Sequence, residues 1–328
     1  MVETDPANPH SDAPNPASVD ALVDVFRRHG ITLVIDPNHT ELPHATFMSL
    51  TDEELPCAQD VARVWPWLGG TSVTSFAALK AQYFHPRGNV PWHYAIFGHA
   101  GAYGLGNTNS CYLTTGAAWI PGYDFMVTTG YFFHSSYHNL MWQCAQDFSL
   151  YRGMCLRTEA GAFMHELGHN LDLRHGGGDD WIYKPNYLSV MNYYFQRGIP
   201  FAESPGSTVI AGYRLDYSDR LYPTLDENNL DEGVGLGGPP DDVNITFYSN
   251  NEYSPGPINI ASATGPIDWN GDGTIESGVQ DDLLAAFPET WWGNFIPLTG
   301  FDDWAHVQQF LNTPAYKTGR VPRGPAVP

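Results

Sequence analysis

The stretch "HELGHNLDLRHGG", residues 165–177, holds three histidines and a glutamate within eleven positions. On an α-helix, residues four apart share one face, so His165 and His169 can present their imidazoles to one ion. Glu166 is turned about 100° round the axis and stands beside such an ion, where it can take a proton from a water. His175 follows ten residues after His165. A straight helix would carry it about 15 Å along the axis, out of reach. The chain must therefore break after His169 and turn back. That turn calls for a left-handed backbone position, usually glycine, and Asp172 stands there. Aspartate enters this region at a cost of about 1 kcal/mol, small beside zinc-binding free energies of roughly 10 kcal/mol. The competing reading lets the helix run on with Asp172 as a ligand, but that places Asp172 about 10 Å along the axis from His165.

Outward from the motif, residues 158–171 read as a helix, with Thr158 as cap and Glu159 at the positive end of the dipole. Upstream, residues 1–17 are rich in Pro, Asn, Asp and Ser and read as a disordered leader or linker. "SVDALVDVFRRHG" (18–30) reads as a helix capped by Ser18 and stopped by Gly30, and "ITLVID" (31–36) as a strand. A helix at 75–85 and strands at 92–99 and 123–130 follow. From about 196 to 300, Gly, Pro, Asn and Asp dominate and regular structure should be sparse; a helix at 302–312 and a flexible tail at 313–328 end the chain.

The net charge is −21 with only 15 Lys plus Arg, which leaves no basic footprint for nucleic acid. The acidic surface suits hard cations such as calcium. No run approaches the ~18 apolar residues of a membrane helix. The start has neither a basic n-region nor an apolar h-region, so it is no signal peptide as written. We read an exported protein whose leader this sequence lacks. Cysteines at 57, 111, 144 and 155 match no zinc ribbon; one or two disulfides are expected, Cys144–Cys155 first. Nothing around "ELPCAQD" marks Cys57 as a thiolate cap on zinc.

"DWNGDGTIE" (268–276) offers Asp268, Asn270, Asp272, Thr274 and Glu276 as a candidate calcium loop, with Gly273 at its sharp turn. Val279 replaces the usual final glutamate, and Asp281 or Asp282 would have to stand in. The plainer reading is an Asx-rich turn. The paired histidines His93 and His99, and His134 and His138, read as satisfied polar residues rather than ligands of the same ion.

"FMHELGHNL" and "LRHGGG", followed by "KPNYLSVMNYYFQ" (184–196), resemble the metzincin clan of zinc endopeptidases, whose histidine motif precedes a methionine-containing turn. Ser189-Val190-Met191-Asn192-Tyr193 is similar to the turn of astacin-like and serralysin-like members. The likeness is closer still to a group of bacterial secreted zinc metalloproteases, over about residues 90–306. It departs from the clan pattern at Asp172. The resemblance implies an α+β fold of two subdomains within 18–312. The upper one (about 18–177) would hold a twisted mixed sheet and the active-site helix. The lower, irregular one (about 178–312) would hold the methionine turn. It implies zinc on His165, His169 and His175, Glu166 as general base and acid, Met191 as apolar support and Tyr193 as partner of the oxyanion. The expected protein is a monomeric, secreted endopeptidase acting on proteins or peptides. The rival is a non-catalytic, calcium-stabilised binding protein on a degraded scaffold of the same kind.

Overall fold

Asp124–Val127 is buried along its whole length, and the larger sheet forms around it because such a strand needs cover on both faces. The computed structural model describes residues 2–4, 12–36, 41–43, 45–64, 72–84, 91–104, 111–130, 152–207, 209–237, 242–248, 257–284 and 295–328. The chain is a mixed α/β structure that divides into two compact units, residues 1–172 with 307–328 and residues 173–306. The division falls at 172/173, a few residues before the expected 177/178.

In the first unit a six-stranded sheet runs in the order Ala326–Val327, Gly116–Trp119, Asp124–Val127, Tyr94–Phe97, Val2–Thr4, Glu41–Pro43. The first two pairings are antiparallel and the other three parallel. A second mixed sheet orders Val73–Ser75, Phe47–Ser49, Gly101–Gly104 and Cys111–Thr114. Leu42, Met48, Phe76, Tyr94, Ile96 and Met126 form one buried cluster here.

Three of the expected helices are present with shifted ends. The first is Pro16–Arg28, capped by Asn15 rather than Ser18. Proline fills the first helical turn, where its missing N–H is not needed, and Ser18, now inside the helix, donates to the Leu156 carbonyl. Phe76–Tyr83 is capped by Ser75, whose hydroxyl accepts from Ala78 N–H at 3.0 Å. Asp303–Leu311 matches the late helix. Leu55–Val64 is a further helix that the sequence reading passed over. Residues 31–36 form no strand; no ladder partner for them exists among the described residues, and Val34 is 70% exposed.

Described residues near both ends of the sequence are tied into the fold, against the expectation of a disordered 1–17 and a flexible 313–328. Val2–Thr4 lies between two parallel strands, and Asn15 N–H donates to Glu159 at 2.8 Å. At the other end Ala326–Val327 extends the sheet, and Arg323 reaches Asp124 while its guanidinium stacks 4.7 Å from the Trp119 ring centroid. The tail expected to be flexible is held by backbone pairing and a buried carboxylate.

In the second unit regular structure is sparse, as expected. Its described ladders are two-stranded: Ile199–Ala202 with Ile210–Arg214, Leu225–Asp226 with Pro297–Leu298, Leu230–Asp231 with Ser277–Val279, and Asn244–Tyr248 with Pro257–Ser262. Buried carboxylates do the work that longer ladders do elsewhere. Glu227 accepts Leu283 N–H at 2.8 Å and Ile296 N–H at 3.0 Å; Glu232 accepts Trp269 N–H at 2.7 Å and Glu276 N–H at 3.1 Å. The bonds to Leu283 and Trp269 are buried, and each satisfies an amide whose burial without a partner would cost about 1–3 kcal/mol. Burial pushes the Glu227 carboxyl up to about 7. Trp269, fully buried, centres an apolar cluster with Phe195, Ile245, Leu283 and Leu298.

Among the described residues no helix is long and apolar enough to cross a membrane. Cys57 and Cys155 are both disulfide-bonded, which removes Cys57 as a zinc thiolate. Cys144, and with it the expected Cys144–Cys155 pairing, lies outside the described residues.

Candidate metal centre

The motif helix spans Arg152–Asn170, longer at its start than the expected 158–171. Thr158 is therefore no cap; its hydroxyl donates to the Met154 carbonyl one turn back, at 2.9 Å. From Thr158 to Leu171 every residue is buried, as in a helix enclosed on all sides. Ala160, Gly161, Ala162 and Gly168 keep it slim enough for that.

His165 and His169 are fully buried. Their rings stand nearly perpendicular at 89°, and their Nε2 atoms are 3.0 Å apart. Two nitrogens on one tetrahedral zinc at about 2.0–2.1 Å would be separated by about 3.3 Å, so the pair is already spaced for a shared ion. His175 completes the set: the ligand atoms of His165, His169 and His175 all lie within 4.8 Å of one another. His175 itself is only partly buried. Among the described residues this is the one group of histidine, cysteine and carboxylate side chains that converges in this way.

The turn that brings His175 back is the expected one. Leu171 N–H still reaches the Leu167 carbonyl, Asp172 N–H bonds the His169 carbonyl at 3.0 Å, and Asp172 has φ 70°. This is the left-handed helix end that glycine normally supplies. His175 then sits inside a tight turn closed by mutual backbone bonds between Arg174 and Gly177. The glycines after it are steric requirements: a Cβ on Gly176 would stand 2.0 Å from the Asp179 carboxylate, and one on Gly177 (φ 81°) 2.3 Å from Phe301 Cβ. The reading of Asp172 as a ligand fails, because Asp172 is the hinge.

Glu166 is 1% exposed, and among the described residues neither carboxylate oxygen has a hydrogen-bond partner. Burial alone pushes its pKa well above the usual carboxylate range. Buried polar atoms are nearly always satisfied, and a buried carboxyl next in sequence to His165 without such a partner fits a group held beside a metal site better than a packing residue. Its room comes from Gly116 on a neighbouring strand, where a Cβ would stand 2.5 Å from Glu166 Oε1 and 2.6 Å from Cγ. No pattern in the sequence pairs residue 116 with residue 166; only the fold does.

Tyr193 places its ring 4.5 Å from that of His175. Tyr183, a residue the sequence reading missed, lies 5.7 Å from Tyr193 and has φ 66°, a strained value for a bulky side chain. Met191 is fully buried in a turn closed by Ser189, whose hydroxyl accepts Met191 N–H at 3.1 Å. Asn192 ties that turn to the Lys184 and Tyr187 carbonyls at 2.7 and 2.9 Å.

The second metal candidate is laid out differently. Asp268 accepts Asp272 N–H at 3.1 Å and Gly273 N–H at 2.8 Å; Asn270 Oδ1 accepts Asp272 N–H at 3.0 Å; Asp272 Oδ1 accepts both the N–H and the hydroxyl of Thr274. Those Thr274 bonds hold the Asp272 pKa below its ordinary value. Glu276 is exposed and gives its N–H to Glu232. Of the paired histidines, His93 bonds Asn170 and Tyr316, and His99 is buried 3.8 Å from Asp12. His134 and His138 lie outside the described residues.

Compared with protein-family models, with curated proteins and with solved structures, the chain matches none.

Proposed function

We propose that the chain is a zinc-dependent endopeptidase of metzincin kind. One observation carries the reading: three histidine nitrogens converge, and the residue after the first of them is a buried carboxyl with no hydrogen-bond partner among the described residues. Three neutral nitrogen ligands with a fourth position open are the donor set of a catalytic rather than a structural zinc. When bound there, zinc supplies Lewis acidity, polarising a peptide carbonyl and making water a better nucleophile near neutral pH.

The chain's own groups supply the proton traffic and the positioning. Glu166 takes the proton from the attacking water and later gives it to the leaving amine. Burial raises its pKa, and a neighbouring cation favours the ionised base. Tyr193, beside His175, is the candidate donor to the oxyanion, as in the astacin-like proteins that the sequence resembles. Met191 takes the supporting role of the methionine turn.

The rival binding-protein reading gains nothing from Glu166, since a scaffold has no use for a buried carboxyl without a partner. An exported setting fits the disulfide-bonded Cys57 and Cys155. Cleavage of an unstructured protein such as casein tests the activity. It should proceed with the zinc-loaded protein, stop with a zinc chelator and return on adding zinc. A zinc-loaded protein inert toward unstructured chains would refute the endopeptidase reading.

For residues 268–276 we read a hydrogen-bonded turn rather than a calcium site. The side-chain oxygens of Asp268, Asn270 and Asp272 already accept amides of the loop, and Glu232 holds both ends of the loop by accepting Trp269 N–H and Glu276 N–H. The melting temperature should therefore be the same with calcium as with a chelator that spares zinc. A calcium-dependent rise that Asp272→Ala removes would restore the calcium reading.

A further inference from the structure

Asn170, the residue after His169, is fully buried and fully bonded. Its side-chain amide nitrogen donates to the Trp119 carbonyl at 3.1 Å and the Asp124 carbonyl at 2.9 Å. Its own backbone carbonyl accepts Gly122 N–H at 3.3 Å. Because both amide hydrogens go to carbonyls, Oδ1 is the acceptor left over. His93 Nδ1, 3.0 Å from it, must then carry the hydrogen. That fixes the tautomer: Nε2 is a bare lone pair, and the Tyr316 hydroxyl at 3.0 Å donates to it.

Both ionisable partners stay neutral. Burial lowers the His93 pKa against the opposing pull of Asn170 and Asp124, and burial pushes the Tyr316 hydroxyl up to about 12. The His93 ring is flanked by Tyr123 at 5.4 Å and Tyr316 at 5.9 Å. Tyr316 stands on the short helix Pro314–Lys317, capped by Thr313, in the tail that Arg323 and the last strand tie down.

We propose that His93 and Tyr316 are positioning residues for the metal site: the chain Tyr316–His93–Asn170 fixes the last turn of the motif helix and so holds the imidazole of His169 where a shared ion needs it. The inference rests on the reading of His165, His169 and His175 as metal ligands. It gives the C-terminal tail a part in the site without any contact to the metal. Groups that orient ligands from behind tune metal affinity by about 10–100-fold, and His93 acts one step further out.

The test is zinc affinity, by competition with a chromogenic chelator, together with the zinc dissociation rate and the melting temperature of the metal-free protein. His93→Leu should weaken zinc binding about tenfold. His93→Gln keeps one N–H and one acceptor at nearly the ring's spacing and should stay within about threefold of wild type. Tyr316→Phe, which deletes one oxygen, should fall between them and speed zinc release. Mere packing would lower the melting temperature of the metal-free variants and leave zinc affinity and release unchanged, which overturns the proposal. If His93→Leu fails to fold, an unchanged release rate in Tyr316→Phe overturns it equally. Wild-type protein that takes up no zinc overturns this proposal and the metal reading together; normal zinc binding in wild type and in all variants overturns this one alone.

Discussion

Glu166→Gln should leave the protein with its zinc and without measurable proteolysis. The substitution preserves volume and removes only the ability to take and return a proton. General acid–base groups contribute about 10²–10⁴-fold, so kcat/KM should fall by that factor, about 3–5 kcal/mol in the barrier. Zinc content should not change, because Glu166 is turned away from the ligand face of the helix. Gly116→Ala should reproduce part of this loss from a different strand. Its Cβ would stand 2.5–2.7 Å from three atoms of the Glu166 side chain, so the carboxyl must move, and small displacements of a catalytic group are expensive in rate. At least a tenfold drop with zinc retained is expected. Substantial activity in Glu166→Gln, assayed on casein with zinc content measured on the same sample, would remove Glu166 from the mechanism.

What could be read in advance divides along physical lines. The local pattern at 165–175 specified both the shared helix face and the break after His169, because helical periodicity and left-handed geometry are properties of adjacent residues. Asp172 at φ 70° follows from spacing alone. The central strands at 94–97 and 124–127 were legible as apolar runs. The strand expected at 31–36 was not built, since an alternating stretch becomes a strand only where a neighbouring ladder exists. Ser18 lost the cap to Asn15 because Pro16 starts the helix three residues earlier. The tail at 313–328 looked mobile from its Pro and Gly content, yet Arg323 finds the buried Asp124, a partner 199 residues away.

The candidate site shows the same division. The three histidines and Glu166 lie within one short segment and were visible. Gly116, His93 and Tyr316 come from distant segments, carry no motif, and are brought to the helix only by the sheet order. Nothing in the sequence reading singled out Glu227 or Glu232; their role as acceptors of backbone amides emerges because the described ladders of the second unit are short.

The second large effect concerns the third ligand. His175→Ala removes one of three nitrogens and should weaken zinc binding at least about 100-fold, the equivalent of roughly 3 kcal/mol out of some 10. Asp172→Gly should do the opposite or nothing. It relieves about 1 kcal/mol of backbone strain at φ 70°, partly offset by the greater freedom of glycine in the unfolded chain. The helix end and the return of His175 are kept. Measuring zinc affinity of these two variants side by side, by competition with a chromogenic chelator, tests the metal centre most directly. Severe loss in His175→Ala with equal or tighter binding in Asp172→Gly is the predicted result. Loss in Asp172→Gly with near-normal binding in His175→Ala would mean that the aspartate holds the ion, and that the three-histidine centre is wrong.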